Sequence, residues 1–362
     1  MLDARRLVAR AQPCQLYQFC DPFDTYNSAA LLYEFVQGTI TFSSSYSRFA
    51  PPAGLPGQGV KFAGNSFFRK NLRSNQQTLI IKVALNLATL GSLSSFGAPA
   101  VCAWDNGTAQ WSLAFFPTGA IAIKQGDGGS SILATTGPGV IAPGYFGVEV
   151  EVSISSSAGT AQVWLNGVQV LSATGLNTQQ SSNAYANQVS VGDLFNYGLA
   201  NMLADDFRVW DNTGSVCNAP LGTDSRLIAK LPSGVGAVTQ WTPNGAAANW
   251  QCVDDNPPDG DSTYVSCSTV SDDDAYSMPS AGFTAAPVMV IARSYARKDD
   301  GATRSMQVGV DSSGSALSGG NFTLGSTYAF IDGDCSSEDP HTLAAWTAAG
   351  ADAAQHWKQE TA

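Results

Sequence analysis

Residues 146–171, FGVEVEVSISSSAGTAQVWLNGVQVL, decide the fold. Val148, Val150, Val152 and Ile154 alternate with Glu149, Glu151 and Ser153, the period of two that turns one face to a core and the other to water. Residues 155–159 supply a polar turn, and Val163 and Leu165 then share a face opposite Gln162 and Trp164. Asn166-Gly167 follows at once. A type I′ hairpin turn needs positive φ at both central residues, and Asn-Gly accepts that at least cost. Val168 and Val170 open the return strand. The reading is three antiparallel strands in a row, with Glu149 and Glu151 on the wet face.

The same grammar extends in both directions. QTLIIKVALNL (77–87) is strand-like, and Val101–Trp104 and residues 110–116 flank a second Asn-Gly turn, Asp105-Asn106-Gly107-Thr108. Residues 119–125 return, and the region closes on ADDFRVWD (204–211). Strands at this spacing, without a long 3.6-residue periodicity between them, predict an all-β chain built on an antiparallel β-sandwich. The 36 Gly and 17 Pro fit strands and turns better than helices. Further on, 224–231, 287–297, 303–310 and 326–331 read as strands of a second, smaller β-sandwich. An Ala-rich tail places Ala353, Ala354, Trp357 and Lys358 at helical spacing. The expected organisation is an N-terminal arm (1–20), a first sandwich (21–212), a linker (213–223), a second sandwich (224–342) and a C-terminal helix or tail (343–362).

The net charge of −11 argues against a nucleic-acid partner. It is concentrated in residues 213–362, which hold 17 Asp and Glu against 7 Lys and Arg. No apolar run reaches the ~20 residues of a membrane span, and the basic N-terminus lacks the apolar segment of a secretory signal. Seven cysteines, an odd number without a Cys-x-x-Cys, point to thiols in a reducing cytoplasm. Cys252 and Cys267 are the pair to check for a bond.

VEVEVSISSSAGTAQVWLNGVQV (148–170) followed by ADDFRVWD resembles the end of a laminin-G-like, or concanavalin-A-like, jelly roll. DPFDTYN (21–27), with the later Gly57-Gln58-Gly59-Val60, resembles the start of such domains in structural proteins of tailed bacteriophages. TQWTPNG (239–245) through NWQCVDDNPPDGDSTYV (249–265) is similar to a module found beside phage tail and virion proteins. The resemblance implies a jelly roll over residues 21–212 and a virion protein of the tail or tail tip, with head decoration as an alternative. It also implies assembly in the bacterial cytoplasm, virion protein neighbours and a homo-oligomer.

Candidate chemistry is sparse. His341 and His356 are the only histidines, and no nucleophile elbow, phosphate loop, dinucleotide fingerprint or zinc spacing occurs. Glu149 and Glu151, at i and i+2 of a strand, stand roughly 6.5–7 Å apart, inside the range of about 5–9.5 Å used by glycosidases. The families of this fold that use such a pair carry an Asp between the two, where this chain has Val150. The expectation is therefore a protein without catalytic residues. Asp254, Asp255, Asp259 and Asp261, with Asp272-Asp273-Asp274 behind them, are weak calcium candidates, as is Asp205-Asp206; no other cofactor is expected. Trp104, Asp105, Asn106 and Trp111 around one hairpin offer a glycan platform of aromatic faces beside amides and carboxylates. The leading expectation is a non-enzymatic virion component acting through protein contacts. The runner-up is a carbohydrate- or receptor-binding protein, and a glycoside hydrolase comes third.

Overall fold

The computed structural model describes residues 17–127, 129, 131–213, 218–222 and 225–362. They fall into two compact units, one holding residues 17–50 with Gly57–Ile228, the other Pro51–Pro56 with Ala229–Ala362. The larger unit begins with strands β1 Tyr17–Asp21, β2 Phe35–Gln37, β3 Ile40–Ser43, β4 Gly59–Phe62 and β5 Phe67–Gln76. It continues with β6 Thr78–Leu87, β7 Ala98–Asp105, β8 Thr108–Phe115, β9 Ile121–Gln125 and β10 Ile132–Thr135. It closes with β11 Gly144–Ser153, β12 Gly159–Leu165, β13 Val168–Leu176, β14 Ala186–Gly192 and β15 Leu203–Trp210.

These strands form an antiparallel jelly-roll sandwich. The first sheet runs β13-β12-β11-β6-β15-β4-β3 with β1 paired to β15, and the second runs β10-β9-β8-β7-β14-β5-β2. The quoted meander is β11, β12 and β13. Val148, Val150 and Val152 pair with Leu165, Val163 and Ala161 on the inner face. Asn166 and Gly167 take φ values of 46° and 79°, as the hairpin requires. Leu79, Ile81 and Val83 of β6 face Phe68, Val101, Leu113, Ile123 and Val191 of the second sheet, all buried. Phe115–Phe146 and Phe68–Phe207 bridge the layers with ring centroids 5.6 and 5.9 Å apart. Each such side chain contributes roughly 1.5–3 kcal/mol on full burial.

Two boundaries differ from the expectation. Residues 17–20, read as part of an arm, belong to β1, whose partner is the last strand of the sandwich; residues 1–16 lie outside the described part. The linker assigned to 213–223 is no spacer where it is described. Residues 218–222 and 225–228 lie across the outer face of the first sheet, and 225–231 is not a strand.

The smaller unit is all-β as well. It holds β16 Gly234–Thr239, β17 Thr242–Asn244, β18 Tyr264–Ser266, β19 Asp273–Ser277, β20 Arg293–Ala296 and β21 Ser305–Ser312. β22 Ser315–Ser318, β23 Phe322–Thr323, β24 Ala329–Asp332, β25 Glu338–Asp339 and β26 Ala344–Ala345 follow, then helix α1 Ala348–Ala353 and β27 Gln355–Glu360. One sheet runs β16-β19-β27-β21-β22 with β23 on β21, beside the two-stranded pairs β17–β18, β20–β24 and β25–β26. The tail read as a helix thus keeps only α1, capped by the Thr347 hydroxyl accepting from Gly350 N. Trp357 and Lys358 belong to β27, which pairs with β19 on one side and β21 on the other. Two backbone ladders outweigh helix propensities worth a few tenths of a kcal/mol per residue.

Candidate functional site

Glu149 was expected on the wet face of β11. The structure puts it on the outer face and buries it, at 2 % exposure. Strand register aligns Glu149 of β11 with Lys82 of β6 and Lys82 with Arg208 of β15. Lys82 Nζ stands 3.6 Å from the Glu149 carboxylate. The chain from residue 218 covers this row. Leu221 N and Gly222 N donate to Glu149, Lys82 donates to the Gly222 carbonyl, and Arg208 Nη2 donates to the Ser225 carbonyl at 2.8 Å. Burial pushes the Lys82 ammonium and the Arg208 guanidinium below their usual values, against the pull of Glu149 and Asp206 respectively. Both Glu149 oxygens are engaged by backbone amides, so Glu149 serves as an anchor for the covering segment. Glu151 stays half-buried, its carboxyl raised by burial.

Asp205 and Asp206 sit at a bulge in β15, where Asp206 takes φ 56°. Asp205 accepts from Arg48 N and the Ser47 hydroxyl, and Asp206 accepts from Leu227 N. Burial raises Asp205 to about 7, with the neighbouring Asp206 adding to it. The opening DPFDTYN motif supplies another buried group. Asp21 accepts from the hydroxyls of Tyr26 and Tyr33, and Asp24 accepts from Gln58 N at 2.6 Å. Burial lifts Asp24 to about 8, helped by the charges of Asp205, Asp21 and Asp206.

The outer face of the second sheet is different in kind. Register places Phe35, Arg69, Ser190, Cys102, Ser112 and Lys124 in one row across β2, β5, β14, β7, β8 and β9. The Arg69 guanidinium lies over two rings, 5.0 Å from the centroid of Phe35 and 4.2 Å from that of Trp104. Phe35 stacks on Phe67 at 5.4 Å, Trp104 meets Phe195 at 6.5 Å, and Phe195 meets Tyr197 at 6.3 Å. Trp104 is fixed from below by its Nε1 donating to the Ser190 hydroxyl at 2.7 Å. Amides line the same strands: Gln188 accepts from Arg69 Nη1 at 3.5 Å and donates to Asn71 at 2.8 Å. Phe35 is 42 % exposed, and Arg69, Phe195 and Tyr197 are half-buried.

The four residues of the expected glycan platform separate. Trp104 joins this array. Asn106 is exposed at the hairpin tip and exchanges hydrogen bonds with Asn187. Asp105 is turned inward, accepting from Ser181 and Asn183. Trp111 points into the sandwich core and is fully buried. The loop after β13 is held by the buried Gln110, whose amide donates to the Asn183 and Tyr185 carbonyls and accepts from Gln180 N and Ser181 N. Phe35, Arg69, Phe195 and Tyr197 were not singled out from sequence. The signal present was the alternation Phe67, Arg69, Asn71 within FFRKN (67–71).

In the smaller unit the acidic loop is spent on local bonds. Asp255 and Asp259 both accept from the Thr263 hydroxyl, and Asp261 pairs with Arg297 at 2.9 Å. Among the described residues no three His, Cys, Asp or Glu side chains converge to hold a metal ion. Cys252 and Cys267 are separate thiols. Lys358 is buried between the rings of Trp241 and Tyr276, 4.3 and 4.9 Å from their centroids, and burial lowers it to about 8. The enclosed ring of His356 is lowered to about 3 by burial, with Lys358 adding to it. His341 is exposed.

The larger unit is thus an antiparallel β-sandwich with an aromatic and amide array on one outer face. No protein-family model and no curated protein matches the chain. Among solved structures it is similar to domain 4 of the extracellular arabinanase AbnA of Geobacillus stearothermophilus, in complex with arabinotriose. That match has 16 % identity over 48 % of this chain and 76 % of that one, with a TM-score of 0.33. The carbohydrate-binding module CBM66 of Bacillus subtilis matches at 11 % identity over 47 % of this chain and 95 % of the module, with a TM-score of 0.29. A structure of botulinum neurotoxin type C, whose cell entry depends on two ganglioside molecules, matches at 9 % identity and a TM-score of 0.35. There the alignment covers 54 % of this chain and 47 % of the toxin chain. These are partial likenesses, and the functional argument below rests on the site.

Proposed function

We propose that the protein is a non-catalytic carbohydrate-binding protein whose contact surface is the outer face of β2, β5, β14 and β7. The observation that carries this reading is the array Phe35–Arg69–Trp104–Phe195–Tyr197 with Asn71 and Gln188 beside it. Sugar rings stack their C–H faces on aromatic side chains while their hydroxyls bond to amides and guanidinium groups, and both kinds of group are present at one place. The engagement of both Glu149 oxygens with backbone amides speaks against a catalytic Glu149–Glu151 pair. A glycan array probed with the wild-type protein and Phe195→Ala tests the reading. Binding should be lost or weakened at least about ten-fold in the variant, the loss of one stacked ring. Absence of binding by the wild type at millimolar ligand removes the proposal.

The resemblance to tailed-phage structural proteins gives this binding a setting, namely the tail or tail tip of a virion assembled in the bacterial cytoplasm. Other virion proteins and further copies of the chain would then be its partners, through interfaces of ~1,200 Å² or more. Mass spectrometry and electron microscopy of purified particles test that setting. A chain missing from the particle removes the setting and leaves the sugar-binding reading standing.

A further inference from the structure

Arg69, like Lys61 over Tyr46 and Arg226 over Phe49, keeps aromatic company, whereas other cations of the larger unit are matched by an acid. Lys82 has Glu149, Lys70 has Glu34, and Arg208 sits by Asp206. Arg69 has no ion pair among the described residues, and its one hydrogen bond is the 3.5 Å contact from Nη1 to Gln188. Its Nε is buried without an acceptor. The row that holds it, Phe35, Ser190, Cys102, Ser112 and Lys124, contains two cations and no carboxylate. The flanking row of Asn71, Gln188, Trp104 and Ala109 contains no acid either. The nearby carboxylates are otherwise engaged, Glu34 with Lys70 and Asn71 N and Asp127 toward Lys124, so the guanidinium has aromatic rings but no paired anion for company. A guanidinium fork is suited to planar or tetrahedral oxyanions, which accept two of its N–H groups at once.

We propose that the sugar bound on this face is acidic, carrying a carboxylate or sulfate that is received by Arg69 while its ring stacks on Phe195 or Tyr197, Trp104 lying buried beneath Arg69. The inference rests on the sugar-binding reading above and names the ligand class for the same face. One uncompensated cation suits a short acidic saccharide. A long polyanion would meet the repulsion of the whole chain.

The test measures affinity by titration calorimetry for matched pairs: tetragalacturonate and its methyl ester, sialyllactose and lactose, and a sulfated and an unsulfated galactose oligosaccharide. The acidic member of at least one pair should bind about ten- to a hundred-fold more tightly, the range expected for a charge-assisted hydrogen-bonded contact. That preference should weaken as salt is raised. Preference confined to the carboxylated or to the sulfated pair assigns the group. Arg69→Gln should lower affinity for the acidic member to that of the neutral one, with the melting transition retained. The ligand pairs on the wild type decide the matter even where the variant does not fold. Equal affinity for acidic and neutral members overturns the inference and leaves the sugar-binding reading intact. No binding by any sugar overturns both.

Discussion

Glu149 occupies a strand position where alternation sends the side chain outward, and a distant part of the chain then covers it. Its two oxygens are held by Leu221 N and Gly222 N, and its charge faces Lys82. Removing one partner of a buried pair leaves the other uncompensated, at a cost of roughly 3–5 kcal/mol. Glu149→Ala is therefore expected to lower the unfolding free energy of the larger unit by that order, read as a lower urea midpoint. Glu151→Ala, on a half-buried position without such partners, should change it by less than about 1 kcal/mol. The pair of substitutions Glu149→Leu with Lys82→Met should recover little of the loss, since it leaves Leu221 N, Gly222 N and the Gly222 carbonyl without partners. Equal effects of the two single variants would contradict the anchoring role. The alternation that fixes these residues to the outer face was legible in the sequence. Their burial was not, because Leu221 and Gly222 lie more than 70 positions away in a stretch with the composition of a linker.

At the scale of elements, the aromatic face depends on how closely β14 approaches β5. Gly192 ends β14 with φ 144°, and a Cβ there would lie 2.4 Å from the Ser66 carbonyl and 2.5 Å from Phe67 Cα. A side chain would push Phe67 and Leu194, which pack with Trp104, out of place. Gly192→Ala should cost about 2 kcal/mol or more in stability, from an unfavourable φ and a direct clash. It should also reduce glycan binding, measured on the same array as Phe195→Ala. Unchanged binding in a destabilised Gly192→Ala protein would separate the face from the strand junction. β5 itself was missed in the sequence because FFRKNLRSNQ is apolar at its start and charged at its end. β27 was misread because Ala-rich helix spacing ran into a segment that two neighbouring strands could claim. Hairpins closed by Asn-Gly were read correctly because their turn and both strands lie within a few residues of each other.

At the scale of the whole molecule, the two units carry opposite proton linkages. In the larger, Asp24 at about 8 and Asp205 at about 7 stay protonated where an unfolded carboxyl has ionised. The native state then binds more protons, so this stabilisation is complete below about pH 4 and is lost as pH rises toward 8. In the smaller, His356 at about 3 stays neutral where the unfolded imidazole gains a proton. Its contribution is complete above about pH 6.5 and is lost as pH falls toward 3, while Glu360, raised by burial, works in the other sense. Hydrogen exchange followed separately for peptides of each unit should show the larger more protected at pH 5 than at pH 8, after correction for intrinsic rates. The smaller should show the reverse. Asp24→Asn, a permanent copy of the protonated form, should flatten the first trend, and an unchanged slope in that variant would exclude Asp24 as its source.

The sequence by itself determined the strands, their inner faces and the hairpins of the sandwich, because period-two alternation and turn chemistry act over a few residues. It also determined that the chain is all-β. Tertiary structure alone decided what each outer face became. The first sheet received the chain from residue 218, which turned Glu149, Lys82 and Arg208 into buried anchors. The second brought Phe35, Arg69 and Trp104 together from three strands separated by up to 69 positions in sequence. An outer face has no periodic signature of its own. Whether it meets water, a covering segment or a ligand depends on segments distant in sequence, and only the folded chain brings those together.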